Sequence, residues 1–97
     1  MEVGQYVVVT TNKYRRGVFG GILQSHDITA GCAVLTEARN CVYWSAETHG
    51  VGGLAVIGPQ NGSRIGPAIP ELSLDGVTAV MLATDQARAA WEAEPWS

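Results

Sequence analysis

The chain has 97 residues, of which 46% are hydrophobic and only 15% are charged, and its formal net charge is −3. This length suits one small domain, so we predict a single domain over residues 1–97. The acidic balance argues against a nucleic-acid polymer as partner, because binding to a phosphate backbone relies on clustered Lys and Arg. The scarcity of charge leaves neutral and apolar surface uncovered, which favours a homo-oligomer.

Neither a leader nor a membrane span is predicted. The first residues lack a basic segment followed by a sustained apolar one, and no apolar run approaches the ~20 residues that cross a bilayer. A cytoplasmic, reducing location follows as the expectation. In that setting Cys32 and Cys41 are expected to be small buried hydrophobic residues rather than a disulfide.

Short β-segments separated by turn residues fill most of the chain. In chain order we predict strands at residues 5–11, 18–24, 32–36, 41–44, 54–57 and 77–83. The fold class is therefore mainly β: a small antiparallel barrel or a twisted sheet of five to six strands, with one short C-terminal α-helix. Gly20 and Gly21 lie in mid-strand, which predicts a bend of the chain or a close approach of another backbone.

Two segments follow a different pattern. Residues 59–74 are stiffened by three prolines and match neither a helix nor a clean strand, so we predict an extended arm that packs on a neighbouring subunit, with an intramolecular loop as the alternative. Residues 84–94 form the predicted helix after the β-rich body of residues 1–83, with Thr84 or Asp85 as N-cap and Pro95 as terminator. This helix is too short to be stable alone, so Trp91 must dock on the body or on a neighbour, and Trp96 is a candidate for the same role.

The sequence contains no complete catalytic or metal-binding motif. Gly50, Gly52 and Ala55 fit the dinucleotide-binding spacing, but a strand is expected where that motif needs a helix. The two histidines and two cysteines lack the local spacing of a zinc site. We interpret both histidines as solvated loop residues. We therefore predict no enzyme activity, no cofactor, no metal and no catalytic residue.

A ligand-binding surface is the remaining prediction. It combines guanidinium groups for phosphate, aromatic faces for a base, and amide or hydroxyl groups for a ribose. The alternative is that Tyr43 and Trp44 are core or interface residues and that Arg39 is a surface charge. The candidate ligand-binding residues form one cluster on a strand and its entry loop and a second in a Gly-rich loop: Arg39, Asn40, Tyr43, Trp44, Ser45, Asn61, Ser63 and Arg64.

The chain resembles a family of short, uncharacterised proteins of tailed phages and prophages. The resemblance spans residues 16–96 and is carried by RGVF at residues 16–19, ARNCVYWSA at 38–46, GLAVIGP at 53–59 and GVTAV at 76–80. It is a resemblance of overall pattern, so it implies an origin and transfers no catalytic residue.

A phage origin implies two classes of function. One is an anti-defence sponge, a homo-oligomer in the host cytoplasm that sequesters a nucleotide-derived immune signal, such as a cyclic oligonucleotide or an ADP-ribose derivative, without turnover. The alternative is a structural, assembly or protein-interaction module of a phage, and an enzyme ranks third. The first is our expectation, because low charge, the proline arm and the cluster at residues 39–45 suit it.

Overall fold

The computed structural model describes residues 1–12 and 17–95. Within them, strands predominate, and the predicted mainly β fold is confirmed. A short 3-10 turn, Ala46–Thr48, precedes the first helix. The strands are β1 (Tyr6–Thr11), β2 (Val18–Asp27), β3 (Cys32–Tyr43), β4 (Arg64–Ile65), β5 (Ile69–Leu74) and β6 (Val77–Leu82), and the helices are α1 (Gly50–Val56) and α2 (Asp85–Ala93).

All strand pairs are antiparallel and belong to one curled sheet of order β4-β3-β2-β1-β6, with β5 also on β3. β2 occupies one edge of β3, and β4 and β5 follow each other along the opposite edge. No pairing joins β5 to β6 in the described part of the chain, so the sheet stays open. The twisted-sheet form of the prediction is therefore correct, and the closed-barrel form is not.

Strand β3 is one continuous element, and the predicted interruption at residues 37–40 is wrong. Glu37 adopts a left-handed backbone conformation with φ 52°. Opposite it, the pairing with β2 shifts between Gly20 and Ile22. The strand accommodates the extra residue as a bulge. In a regular strand, residues three apart point to opposite faces, but the bulge lets Leu35 and Ala38 join the same apolar cluster.

The sheet is apolar on both faces. Alternation along β1 sends Val8 to the face covered by the helices and Val7 to the other, where the curl of the sheet brings β5 and β6 residues together. The helix-side core contains Tyr6, Val8, Val18, Cys41, Leu54, Ala55, Ile65 and Trp91. The opposite core contains Val7, Val9, Phe19, Leu23, Leu35, Ala38 and Leu74.

Helix α1 replaces the strand predicted at residues 54–57. Its glycine-rich sequence has poor helix propensity, but tertiary contacts satisfy the carbonyl groups at its end. Trp91 Nε1 donates to Leu54 O at 2.9 Å, the Thr84 amide donates to Ala55 O at 2.9 Å, and the Thr84 hydroxyl donates to Val56 O at 2.6 Å. Packing against α2 therefore decides the conformation of this segment.

Helix α2 matches its prediction closely. Thr84 is the N-cap, and its hydroxyl accepts a hydrogen bond from the Ala87 amide at 3.0 Å. Trp91 is fully buried, which confirms that this ring docks on the β-body. Trp96 lies outside the described residues. No helix within residues 1–12 and 17–95 is long and apolar enough to cross a membrane.

The proline-rich arm does not project from the domain. Its segments β4 and β5 pair with β3, with Cys41 opposite Ile65 and Ala38 opposite Ile69. The prediction that this segment matches no strand is therefore wrong, because it forms β4 and β5, whereas its packing on a neighbouring subunit stays a prediction. Pro70 is compatible with β5 because this strand lies at the edge of the sheet.

The two cysteines lie in different environments. Cys41 is buried, as predicted, whereas Cys32 is exposed at the start of β3, so the prediction for Cys32 is wrong.

Candidate functional site

The two predicted clusters of ligand-binding residues meet in the folded chain. The antiparallel register of β3 and β4 places Tyr43 opposite Arg64. The Tyr43 side chain is 55% exposed, and Arg64 is also exposed. Directly opposite residues of an antiparallel pair have their β-carbons about 4.5–5.5 Å apart. Tyr43 and Arg64, both exposed, are thus cross-strand neighbours, next to a register shift between Cys41 and Tyr43.

A network of hydroxyl groups lies next to this pair. The Ser45 amide donates to Ser63 Oγ at 3.0 Å, and Thr48 Oγ1 lies 3.4 Å from both Ser45 Oγ and Ser63 Oγ. The Gln60 amide also donates to Thr48 Oγ1, at 3.1 Å. We call Ser45, Thr48 and Ser63 the hydroxyl cluster; it fixes the loop before β4 to the turn after β3.

Thr48 is fully buried and was missed by the sequence analysis. Its position three residues after Ser45, at the end of a 3-10 turn, is typical of hydroxyl groups that bond to nearby backbone. That spacing was the available signal. Ser45 and Ser63, predicted in two separate clusters, belong to one network, and both are engaged in holding the loop.

The remaining predicted residues are divided between surface and interior. Asn61 is exposed in the turn before β4, and Asn40 is half-buried, with its carbonyl accepting the Gly66 amide at 2.8 Å. Trp44 is half-buried against the helix-side core and lines a shallow cleft with Val18 and Val51. The alternative interpretation as core therefore describes Trp44 and does not describe Tyr43.

Arg39 does not join the exposed pair. Its side chain is only 7% exposed; Nε donates to Gly66 O at 2.8 Å, and Nη1 donates to Trp91 O at 2.6 Å. Trp91 O belongs to the last turn of α2, where carbonyl groups lack helical partners and a cation is favoured. The guanidinium thus holds the β4–β5 linker and α2 against β3. Neither a surface-charge role nor a place beside Tyr43 fits this position.

Arg39 instead lines a cleft of about 420 Å³ between the sheet and α2. We call it the Arg39 cleft. At its floor, the Tyr6 side chain is 4% exposed, and its hydroxyl has no hydrogen-bond partner among the described residues. The cleft is lined by Tyr6, Glu37, Arg39, Pro67, Ala68, Glu92 and Glu94.

Burial raises the pKa values of two side chains on this side of the sheet, Tyr6 and Cys41. Burial, reinforced by the Glu92 carboxylate, raises the pKa of Tyr6 well above its ordinary value, so the phenol stays protonated. Burial also raises the pKa of the Cys41 thiol to about 11. A protonated buried thiol is a poor nucleophile and a poor metal ligand. Across residues 1–12 and 17–95, no three His, Cys, Asp or Glu side chains are grouped to hold a metal ion.

Comparison with known proteins identifies a family without a known function. The family model for a domain of unknown function, DUF6948, matches residues 4–91, so the chain belongs to that family. The match covers every strand and all but the end of α2. The chain matches no curated protein and no solved structure.

Proposed function

We propose that this member of the DUF6948 family binds a small nucleotide-derived ligand and retains it without turnover. In this proposal it acts as a phage-encoded anti-defence sponge in the host cytoplasm, sequestering a cyclic oligonucleotide or an ADP-ribose derivative. The observation that supports it is the cross-strand register of Tyr43 and Arg64, because residues far apart in the sequence become neighbours at one surface.

The chemistry of this pair suits a nucleotide. An exposed aromatic ring stacks on a base, and base–aromatic stacking contributes about 1–3 kcal/mol per base. An exposed guanidinium beside it donates two parallel hydrogen bonds to a phosphate. Asn61, exposed in the neighbouring turn, adds an amide for a ribose or base edge.

Retention without chemistry agrees with the surroundings of the pair. Ser45 and Ser63 hydrogen bond to each other's loops, and burial raises the pKa of the Cys41 thiol to about 11, so the thiol is protonated at neutral pH. A nucleophile needs an adjacent base to be activated. No histidine is hydrogen bonded to Ser45 or Ser63 in the described ranges.

A homo-oligomer is part of the proposal. Val42, next to Tyr43 in the sequence, is 57% exposed, and Val56 at the end of α1 is 58% exposed. Removal of such apolar side chains from water in a contact between copies would be favourable.

Calorimetric titration with a panel of cyclic oligonucleotides and ADP-ribose derivatives tests the site. We expect Tyr43→Ala and Arg64→Ala each to weaken binding by about tenfold or more, equivalent to about 1.4 kcal/mol. Ile28→Ala, at an exposed apolar residue of the turn between β2 and β3, is the control for Tyr43, and Arg88→Ala, which removes an equal charge from α2, is the control for Arg64. Equal binding by all four variants would refute this site.

A phage assembly or protein-interaction module is the second candidate. It is favoured by β6, which pairs with β1 on one side and has no partner strand on its other side in the described part of the fold. Such an edge can accept a strand from another chain. The Ala83 amide donates to Tyr6 O, so by alternation the amide of Leu82 faces the free edge of β6, and Leu82→Pro would block added pairing there. An oligomer that dissociates with this variant while nucleotides are ignored would favour this candidate.

A further inference from the structure

The turn before β4 places an asparagine directly before a glycine. The Ser63 amide donates to Gln60 O at 3.0 Å and closes this turn. Gly62 has φ 92°, whereas the φ of Asn61 is not positive, which is the pattern of a type II β-turn. Asn61 is therefore the second residue of the turn and Gly62 is the third, at its tip.

The side chain of Asn61 and the backbone amide of Gly62 are both open to solvent. Both residues are exposed, and an added β-carbon at Gly62 would meet only Ser45 Cβ within 4 Å, at 3.7 Å. Within residues 1–12 and 17–95, neither the Asn61 carboxamide nor the Gly62 amide has a hydrogen-bond partner. Neither group therefore has to give up a hydrogen bond to the protein before the two react with each other.

Deamidation joins these two groups in a cyclic imide. The Gly62 nitrogen attacks Asn61 Cγ and loses its proton to solvent, and the carboxamide nitrogen leaves as ammonia. Water then adds to either carbonyl of the imide, and the ring opens to aspartate or to isoaspartate. The net reaction is hydrolysis of a side-chain amide by water, so no oxidant or reductant takes part. Glycine at position 62 favours the attack, because it has no β-carbon to crowd the nitrogen.

The other two asparagines of the chain lack this combination. Asn40 is half-buried within β3, and its carbonyl accepts the Gly66 amide at 2.8 Å. Asn12 is exposed, but the next residue in the sequence is Lys13, which has a β-carbon. The same molecule thus supplies two comparison residues for Asn61.

Conversion of Asn61 changes the charge of the candidate ligand surface. Asn61 lies three residues before Arg64, whose exposed guanidinium is the proposed phosphate ligand. An aspartate in this turn competes with phosphate for the guanidinium and also repels the phosphate. The conversion removes the carboxamide proposed for a ribose or base edge as well. This consequence rests on the proposed function, whereas the reaction itself does not.

We propose that Asn61 is a site of spontaneous deamidation and that its conversion to aspartate or isoaspartate weakens nucleotide binding at Tyr43 and Arg64. Loss of ammonia makes the conversion irreversible in water. Newly made protein therefore binds most tightly, and the affinity falls as the fraction of converted Asn61 rises.

Mass-spectrometric peptide mapping of the wild-type chain tests the modification. The folded protein is incubated at mildly alkaline pH, where more of the attacking nitrogen is deprotonated, and fragmentation then locates each converted residue. We expect aspartate and isoaspartate to accumulate at Asn61 faster than at Asn12 or Asn40. Asn61→Gln, whose longer side chain disfavours closure of the ring, should stop conversion there. Conversion at Asn61 no faster than at the other two asparagines would overturn the proposal.

Calorimetric titration with the same nucleotides tests the effect on binding. Asn61→Asp should weaken binding by about tenfold, with an unchanged melting temperature because aspartate is common in β-turns. Gln86→Glu makes the same change from carboxamide to carboxylate at an exposed residue of α2 and should have no effect. Equal affinities of Asn61→Asp and the wild type would overturn the proposed effect. If the wild type binds none of the nucleotides, the proposed function fails and this effect fails with it, while the peptide map still decides whether Asn61 is modified.

Discussion

The indole ring of Trp91 packs directly on the backbone of Gly20. A β-carbon at Gly20 would lie 2.7 Å from Cδ2 of Trp91, closer than side chains approach one another in proteins. The mid-strand glycine thus makes room for the ring that anchors α2 on the sheet. The Gly20–Gly21 pair predicts a close approach of another backbone. That prediction is confirmed at Gly21, where an added β-carbon would lie 3.0 Å from the Thr36 carbonyl oxygen, and it is wrong at Gly20, whose neighbour is a side chain.

Gly20→Ala should destabilise the protein by about 1–3 kcal/mol, because the added methyl group overpacks a buried ring. Gly66→Ala is the control: Gly66 is also buried, but the nearest atom to its added β-carbon, Asn40 O, would be 3.7 Å away. Urea denaturation measures both. Similar free energies of unfolding for the two variants would contradict this packing.

Two glycines within α1 should respond in opposite directions. A β-carbon at Gly53 would overlap the Thr48 carbonyl oxygen, whereas at Gly52 it would meet nothing within 4 Å. Gly52→Ala should stabilise the protein by about 0.5–1 kcal/mol through helix propensity. Gly53→Ala should destabilise it strongly or prevent folding. Thermal unfolding monitored by circular dichroism separates the outcomes, and a stabilised Gly53→Ala would mean that residues 50–56 do not form this helix.

Arg39→Ala should lower the free energy of unfolding by about 2–4 kcal/mol, because the Gly66 and Trp91 carbonyls lose a charged donor. Arg39→Lys should recover only part of this loss, since one ammonium cannot reproduce the fork of a guanidinium. Denaturant titration measures both. If Arg39→Ala unfolds like the wild type yet loses nucleotide binding, Arg39 is a ligand residue and its structural assignment is wrong.

Cys41 should make the protein less stable in alkali. Its pKa is about 11 in the folded chain against 9.0 for an unperturbed thiol, so above pH 9 the unfolded chain loses this proton first. The stabilisation is complete below pH 9 and is lost as the pH rises to 11, by about 1–2 kcal/mol. Between pH 8 and pH 11 the free energy of unfolding should fall less steeply for Cys41→Ala than for the wild type. Parallel pH profiles would contradict the burial of the thiol.

Local sequence signals were enough to predict the elements that depend mainly on interactions between residues close in sequence. Alternation located the β-segments, and the Thr84 cap with Pro95 located α2. The segment at residues 50–56 could not be assigned in this way, because its helix depends on hydrogen bonds from Trp91 and Thr84, distant in sequence. Strand β3 was divided in the prediction because polar residues at a bulge resemble a turn.

The candidate site was predictable in composition but not in arrangement. The residue types at 43–45 and 61–64 indicated ligand chemistry, and the register of β3 with β4 brings them together. Arg39 showed the opposite outcome, because its sequence neighbours are polar and aromatic while its partners, Gly66 and Trp91, come from elsewhere in the chain. Long-range contacts decide which arginine is accessible.

The central claim is retention of a nucleotide-derived ligand without turnover, and native mass spectrometry tests it most directly. The wild-type protein is measured alone and after incubation with cyclic oligonucleotides and ADP-ribose derivatives. We predict a defined oligomer that retains one nucleotide per site and releases it with unchanged mass on denaturation. An oligomer that retains none of these nucleotides, or that releases a product of different mass, would contradict the claim.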